Sequence, residues 1–164
     1  MSNHEYLSAA VTVDRTPEEV FAAITDVRGW WSANIIGNTT AAGDEFVFTD
    51  DSAYPGEAAR ANTGIRFARF QITDCVPGHR VVWHVVDAYL SFIDDHDEWT
   101  GTDAVFDLST DGHRTTLQFT HTGLTAAESA CFEDCSRGWT FYITRSLPEL
   151  ITTGAGQPIT RYDE

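Results

Sequence analysis

The chain has 164 residues, 42% of them hydrophobic, and a formal net charge of -15 in which all ten basic residues are Arg. That length suits one domain burying ~70% of the surface its unfolded chain would expose. The acidity argues against nucleic acid and anionic membranes as partners. No apolar run approaches the ~20 residues of a membrane-spanning helix. No basic leader precedes an apolar core, as a secretory signal requires, and three cysteines make no disulfide framework. A soluble cytoplasmic protein is the expectation.

In chain order, residues 5–14 read as a strand, with Val11 and Val13 alternating against Thr12. Thr16, Pro17 and Glu19 then form a capping box with proline at the first helical position. A short amphipathic helix follows, with Val20, Phe21 and Ile24 on one face. Asp26 to Trp31 predicts a further turn or short helix that delivers Trp30 and Trp31 to one end of the fold. Asn34 to Thr39 can pair as a strand, and 44–50 alternates so that Phe46 and Phe48 share a face. The Asp-, Ala-, Pro- and Gly-rich stretch from Asp50 to Asn62 reads as a loop. Gly64–Asp74 and Arg80–Asp87 form a hairpin across Val76-Pro77-Gly78-His79. Leu90–Glu98, with the acidic run at 94–98, is an exposed connection. A second hairpin joins Glu98–Leu108 to Thr115–Thr122 across the Asp111-Gly112 turn. In it Thr102, Ala104, Phe106 and Leu108 share one face, as do Leu117, Phe119 and His121.

The last segment, Thr125 to Gly154, predicts one long helix. Thr125 and Glu128 can form a capping box, Gly154 suits a left-handed terminus, and Cys131, Cys135, Trp139, Tyr142, Ile143, Leu147, Leu150 and Ile151 recur at helical spacing. Pro148 removes an intrahelical hydrogen bond, so a bend is expected near Thr144 to Pro148. The tail Ala155–Glu164 is expected to be loosely ordered. The architecture implied is α+β, a curved antiparallel sheet gripping one long C-terminal helix, with two short helices after the first strand.

Specific stretches narrow this further. They are T-P-E-E-V-F-A-A-I-T at 16–25, the Trp30-Trp31 pair, C-V-P-G-H-R-V-V-W at 75–83, W-T-G-T at 99–102, T-H-T-G-L at 120–124 and G-W-T-F-Y-I-T-R-S-L-P-E-L-I-T-T-G at 138–154. Together they make the chain resemble the START-like (SRPBCC, birch-pollen-allergen-like, helix-grip) superfamily, and within it the bacterial homologues of the activator of the 90-kDa heat-shock protein ATPase. The resemblance covers nearly the whole chain. It implies a cavity between helix and sheet, which superfamily members use for lipids, sterols, plant hormones and polyketides, and sometimes for cyclisation or dehydration. Fold alone does not decide among these.

By face assignment the wall of such a cavity includes Phe46, Phe48, Trp83, Thr102, Phe106, Phe119 and His121 from the sheet and Cys135, Trp139 and Tyr142 from the helix. Aromatic walls with few polar groups suit a flat apolar ligand, and plain core packing is the competing fate of the same residues. His121 is the preferred polar candidate, as a ligand partner or as an acid–base group; a buried, hydrogen-bonded histidine is the alternative. Tyr142 can add a second polar contact, and Arg66 can anchor an acidic ligand only if its strand face turns inward, against the local alternation. Cys131 and Cys135, at i and i+4, can face one metal, yet C-x-x-C pairs are absent and small buried cysteines are the better reading. The acidic run at 94–98 lacks calcium-loop spacing. No phosphate-binding loop, nucleophile elbow or dinucleotide fingerprint occurs, and no metal or cofactor is expected.

Three functions follow. The first is binding of a small apolar or aromatic molecule; the second is a cyclase- or dehydratase-type enzyme using His121 and Tyr142. The third is a chaperone-partner or regulatory module, as the resemblance implies, set against the lack of an obvious second binding domain. A homodimer through the convex sheet face or an edge strand is compatible with all three.

Overall fold

A computed structural model describes residues 6–32, 35–49, 65–90, 96–127, 129 and 131–158. Seven strands form one sheet: β1 (Tyr6–Val13), β2 (Ile35–Gly37), β3 (Glu45–Thr49), β4 (Ile65–Val76), β5 (Arg80–Leu90), β6 (Asp103–Asp111) and β7 (Arg114–Thr125). Their order is β1-β7-β6-β5-β4-β3-β2, every pair antiparallel. Between β1 and β2 lie α1 (Pro17–Thr25) and α2 (Val27–Trp30). The chain ends in α3 (Phe132–Phe141), a π-helical turn (Tyr142–Ser146) and α4 (Leu147–Thr153). This is the α+β helix-grip arrangement, with one face of the sheet lying against the C-terminal helix.

Local chemistry accounts for each boundary. At α1 the Glu19 N–H donates to Thr16 Oγ1 at 3.1 Å and the Thr16 N–H donates to Glu19 Oε1 at 3.0 Å, the capping box its sequence predicts. The β6–β7 hairpin pairs Asp111 with Arg114 around Gly112, whose φ of 71° needs a residue without Cβ. Registers slip three times along β4–β5, near Ile65/Phe67, Arg69/Phe70 and Ile72/Asp74. Such bulges bend and twist a long hairpin so that it can curve around a helix.

The C-terminal helix differs from its sequence in where it begins. Thr125 closes β7 rather than capping a helix, and its N–H donates to Ser129 Oγ at 3.0 Å. Helix starts only at Phe132, where Cys131 offers no side-chain cap. The Cys131 N–H instead donates to Glu98 Oε1 at 2.9 Å, a carboxylate 33 residues earlier. Tertiary contact thus supplied an N-terminal acceptor that the local motif at Thr125 was expected to provide. Strand β6 likewise starts at Asp103 rather than Glu98, because residues 96–101 form turns, and β5 continues to Leu90. The loop expected at 50–62 and residues 91–95 lie outside the described residues, as does the side chain of Arg66.

Pro148 acts where it was expected, and the form of the distortion is specific. The Leu147 N–H reaches back to the Tyr142 carbonyl, opening a π turn just before the proline. A wider turn relieves the clash between the pyrrolidine ring and the carbonyl four residues back. Within that turn Ser146 is fully buried: its hydroxyl donates to the Trp30 carbonyl at 2.7 Å and accepts from the Gln157 N–H at 2.7 Å. One hydroxyl therefore joins the C-terminal helix to α2 and holds the first part of the tail. Ser146→Ala strands a buried carbonyl and a tail N–H, so urea unfolding should show a loss of about 1–3 kcal/mol; an unchanged midpoint would mean the tail and α2 are held without it.

Candidate functional site

The inner face of the sheet and the helix meet in a layer of aromatic rings. Strand alternation sends Phe46 and Phe48 of β3, Phe70 of β4, Trp83 of β5, Phe106 of β6 and Phe119 of β7 to the same side, and all are at most 1% exposed. The tandem tryptophans of α2 and the chain just after it enter from one end, and Trp139 of α3 lies over the centre. Ring centroids are 4.8 Å apart for Trp31–Phe48, 4.7 Å for Trp83–Phe106, 5.4 Å for Trp31–Trp139 and 4.5 Å for Phe119–Trp139. Separations in this range suit aromatic pairs, worth about 0.5–1.5 kcal/mol each beyond area burial.

Of the ten residues the sequence assigned to the site, Phe46, Phe48, Trp83, Phe106, Phe119, His121, Cys135 and Trp139 are buried, and Thr102 and Tyr142 half-buried. The layer also includes residues that alternation and motif reading did not assign to it. Phe70 carried a usable signal, since it shares parity with buried Ile72 in β4. Trp99 carried only its place in the W-T-G-T motif: within a strand read from Glu98 its parity set it opposite Phe106, whereas residues 96–101 form turns, and tertiary structure brings its ring to 4.9 Å from His121 and 6.1 Å from Trp139.

A single line of hydrogen bonds crosses this layer. Trp139 Nε1–H donates to His121 Nδ1 at 3.2 Å, which leaves the imidazole proton on Nε2. His121 Nε2–H then donates to Thr102 Oγ1 at 2.8 Å, and the Thr102 hydroxyl donates to the Trp99 carbonyl at 2.6 Å. Each donor has one acceptor, so the tautomer follows from the network. The helix, β7, the start of β6 and the Trp99 turn are joined by three bonds. Gly123 permits the approach: a Cβ there would lie 2.7 Å from Thr102 Cγ2.

Burial pushes the His121 pKa from 6.5 down to about 3. The imidazole is therefore neutral near pH 7 and both nitrogens are engaged, so acid–base work by His121 would require breaking the line first. Tyr142 stands in the π turn with its ring 5.1 Å from Phe141. At the start of α3, hydrogen bonding to Cys135, followed by burial and the nearby Glu98 carboxylate, drives the Cys131 thiol well above its ordinary range. That thiol stays protonated, which suits a packing residue rather than a thiolate ligand, and no cluster of three or more metal-ligating side chains occurs among the described residues.

The opposite face of the sheet carries charged pairs. There Arg80 pairs with Asp74 at 3.2 Å and with Asp107, and His84 Nδ1 lies 2.8 Å from Asp103 Oδ1. On the outer side of α3 a shallow groove of about 490 Å³ is lined by Phe132, Glu133, Arg137, Phe141 and neighbours, none of them residues that the sequence assigned to the site.

Comparison with known proteins places this geometry. The family described as Activator of Hsp90 ATPase homolog 1-like protein matches residues 14–152. Among solved structures, the Aha1 dimer from Colwellia psychrerythraea is similar over 93% of this chain and 99% of its own, with a TM-score of 0.68 at 20% identity. SSP2350 from Staphylococcus saprophyticus covers 95% and 98%, with a TM-score of 0.65 at 12% identity. DynU16, a putative protein in the dynemicin biosynthetic locus, matches 94% of this chain and 49% of its own at TM-score 0.63 and 16% identity. No curated protein sequence matches the chain.

The neutral imidazole yields a pH prediction. The folded pKa lies below the unfolded value, so the unfolded chain binds the extra proton between pH 6.5 and about 3. This group's stabilisation is thus complete above pH 6.5 and declines as pH falls through that window, by about 1.4 kcal/mol per pH unit. Denaturation of the native protein and His121→Gln at several pH values from 7 to 4 should show the variant losing that part of the slope; parallel slopes would mean the imidazole is not held neutral.

Proposed function

The chain belongs to the Activator of Hsp90 ATPase homolog 1-like family, and on that footing we propose that it binds a small hydrophobic or aromatic molecule between its C-terminal helix and the sheet. The observation that carries this reading is the continuous aromatic layer between those two elements, crossed by one fixed polar line. Aromatic surfaces with a few placed polar groups are what a flat apolar guest needs. The layer is closed by its own side chains, so a guest is admitted by parting the helix start from the Trp99 turn. The Glu98–Cys131 hydrogen bond spans that seam. A fold shared with a protein of the dynemicin biosynthetic locus accords with small-molecule handling but does not carry it.

With His121 neutral and committed at both nitrogens, binding accounts for the site better than acid–base catalysis does. Regulation of a chaperone ATPase is the second reading and follows from family membership. If ATP hydrolysis by purified Hsp90 is unchanged by equimolar protein, that reading is removed. A homodimer accords with the dimeric Colwellia relative and with β2 as a sheet edge bearing an exposed Ile36; sedimentation equilibrium returning only 18.2 kDa would exclude it. No helix among the described residues is long and apolar enough to cross a membrane.

Native mass spectrometry of freshly purified protein, compared with its denatured mass, is the direct test of binding. A mass excess lost on denaturation is expected. Its absence, together with no change in tryptophan fluorescence across a library of apolar metabolites, removes the binding reading.

A further inference from the structure

Two donors within the aromatic layer have no acceptor. The indole N–H groups of Trp83 and Trp99 are buried and unpaired, and among the described residues they are the only buried side-chain polar atoms in that state. Other indoles in the same layer are satisfied: Trp30 donates to the Ile24 carbonyl at 3.1 Å and Trp139 to His121 at 3.2 Å. Buried polar groups are overwhelmingly paired, so two unpaired donors in one layer call for an explanation in terms of something that binds there.

Both rings neighbour Phe70, whose centroid is 5.3 Å from Trp83 and 6.5 Å from Trp99. Trp83 lies in mid-sheet against Phe46 and Phe106, and Trp99 lies under the helix against His121 and Trp139. Water is a weak substitute for a guest, because a buried water needs two to four polar partners. The nearby polar side chains, His121 and Thr102, already spend their protons on each other and on the Trp99 carbonyl.

Resting on the binding reading above, we propose that the guest is an uncharged, flat aromatic molecule bearing a carbonyl-type oxygen, and that the Trp83 and Trp99 indoles are the donors that select it. Each part follows from the surroundings. A hydrocarbon leaves both N–H groups unpaired. Among the described residues an anion finds no countercharge, since none of the buried ones is an arginine and His121 is neutral; a carboxylate desolvated there stays uncompensated. A neutral carbonyl offers two lone pairs without a charge, and its ring continues the stacking.

The test uses the full chain labelled with ¹⁵N, with 1-indanone, indane and indane-1-carboxylate as probes of similar size. Indole Nε1–H resonances are assigned with Trp83→Phe and Trp99→Phe, and near-ultraviolet circular dichroism checks that each variant is folded. Indanone should move the Trp83 or Trp99 indole proton downfield while those of Trp30 and Trp139 move less. It should bind on the order of fivefold tighter than indane, the ratio a neutral hydrogen bond supplies, with the carboxylate weakest. In the double Phe variant indanone should fall to the affinity of indane. Equal binding of indanone and indane, with both indole resonances unmoved, overturns the donor assignment and leaves the binding reading standing. Failure of all three probes to bind overturns the donor assignment, whereas the binding reading is decided by native mass spectrometry and the metabolite library. Should the Phe variants not fold, the affinity ratio and peak movements in the native chain decide the matter.

Discussion

A curved antiparallel sheet exposes an apolar face, and the C-terminal segment of this chain covers it. That constraint orders everything else. Strands β3 to β7 each send large side chains inward, and the helix returns Cys135, Trp139, Ile143 and Leu147 to meet them. Burying one such side chain is worth about 1.5–3 kcal/mol, so the seam between helix and sheet carries much of the stability. The helix cannot shift along the sheet freely, because its two ends are tied by polar contacts: Glu98 to the Cys131 N–H at the start and Ser146 to the Trp30 carbonyl near the end.

Polar groups inside the seam are few and unequal in state. Trp139, His121, Thr102 and the Trp99 carbonyl form a line in which every proton has a destination. Such a network rigidifies a core, and its geometry selects a single imidazole tautomer. Beside it, Trp83 and Trp99 retain N–H groups with nowhere to donate. A core selected for stability alone would replace those indoles with Phe or pair them. The contrast between a satisfied line and two unsatisfied neighbours is what the proposed guest would resolve, while the commitment of both His121 nitrogens is what sets catalysis by that residue aside.

The distortion at Pro148 shows how strain and site are arranged along one helix. The π turn at Tyr142–Ser146 follows immediately after the Trp139 turn. Upstream, α3 presents Trp139 and Cys135 to the aromatic layer; downstream, α4 packs back on α1 and α2. The π turn before the proline separates the part of the segment that meets the aromatic layer from the part that packs on α1 and α2, at the expense of one regular hydrogen bond.

Periodicity and turn chemistry determined the strands, α1 with its capping box, the hairpin at Gly112 and the inward residues Phe46, Phe48, Phe106, Phe119 and His121, because a two-residue or 3.6-residue repeat is a local property of the chain. The motifs at 75–83, 99–102 and 138–154 determined the family for the same reason. Tertiary structure alone decided where the last helix starts, since the acceptor for Cys131 comes from Glu98 rather than from the Thr125 motif. It alone brought Trp99 beside His121 and gave that imidazole a threonine and a tryptophan as partners. It alone left Trp83 and Trp99 without acceptors. Those outcomes depend on which groups from distant segments come within hydrogen-bonding reach, and no spacing along the chain encodes that distance.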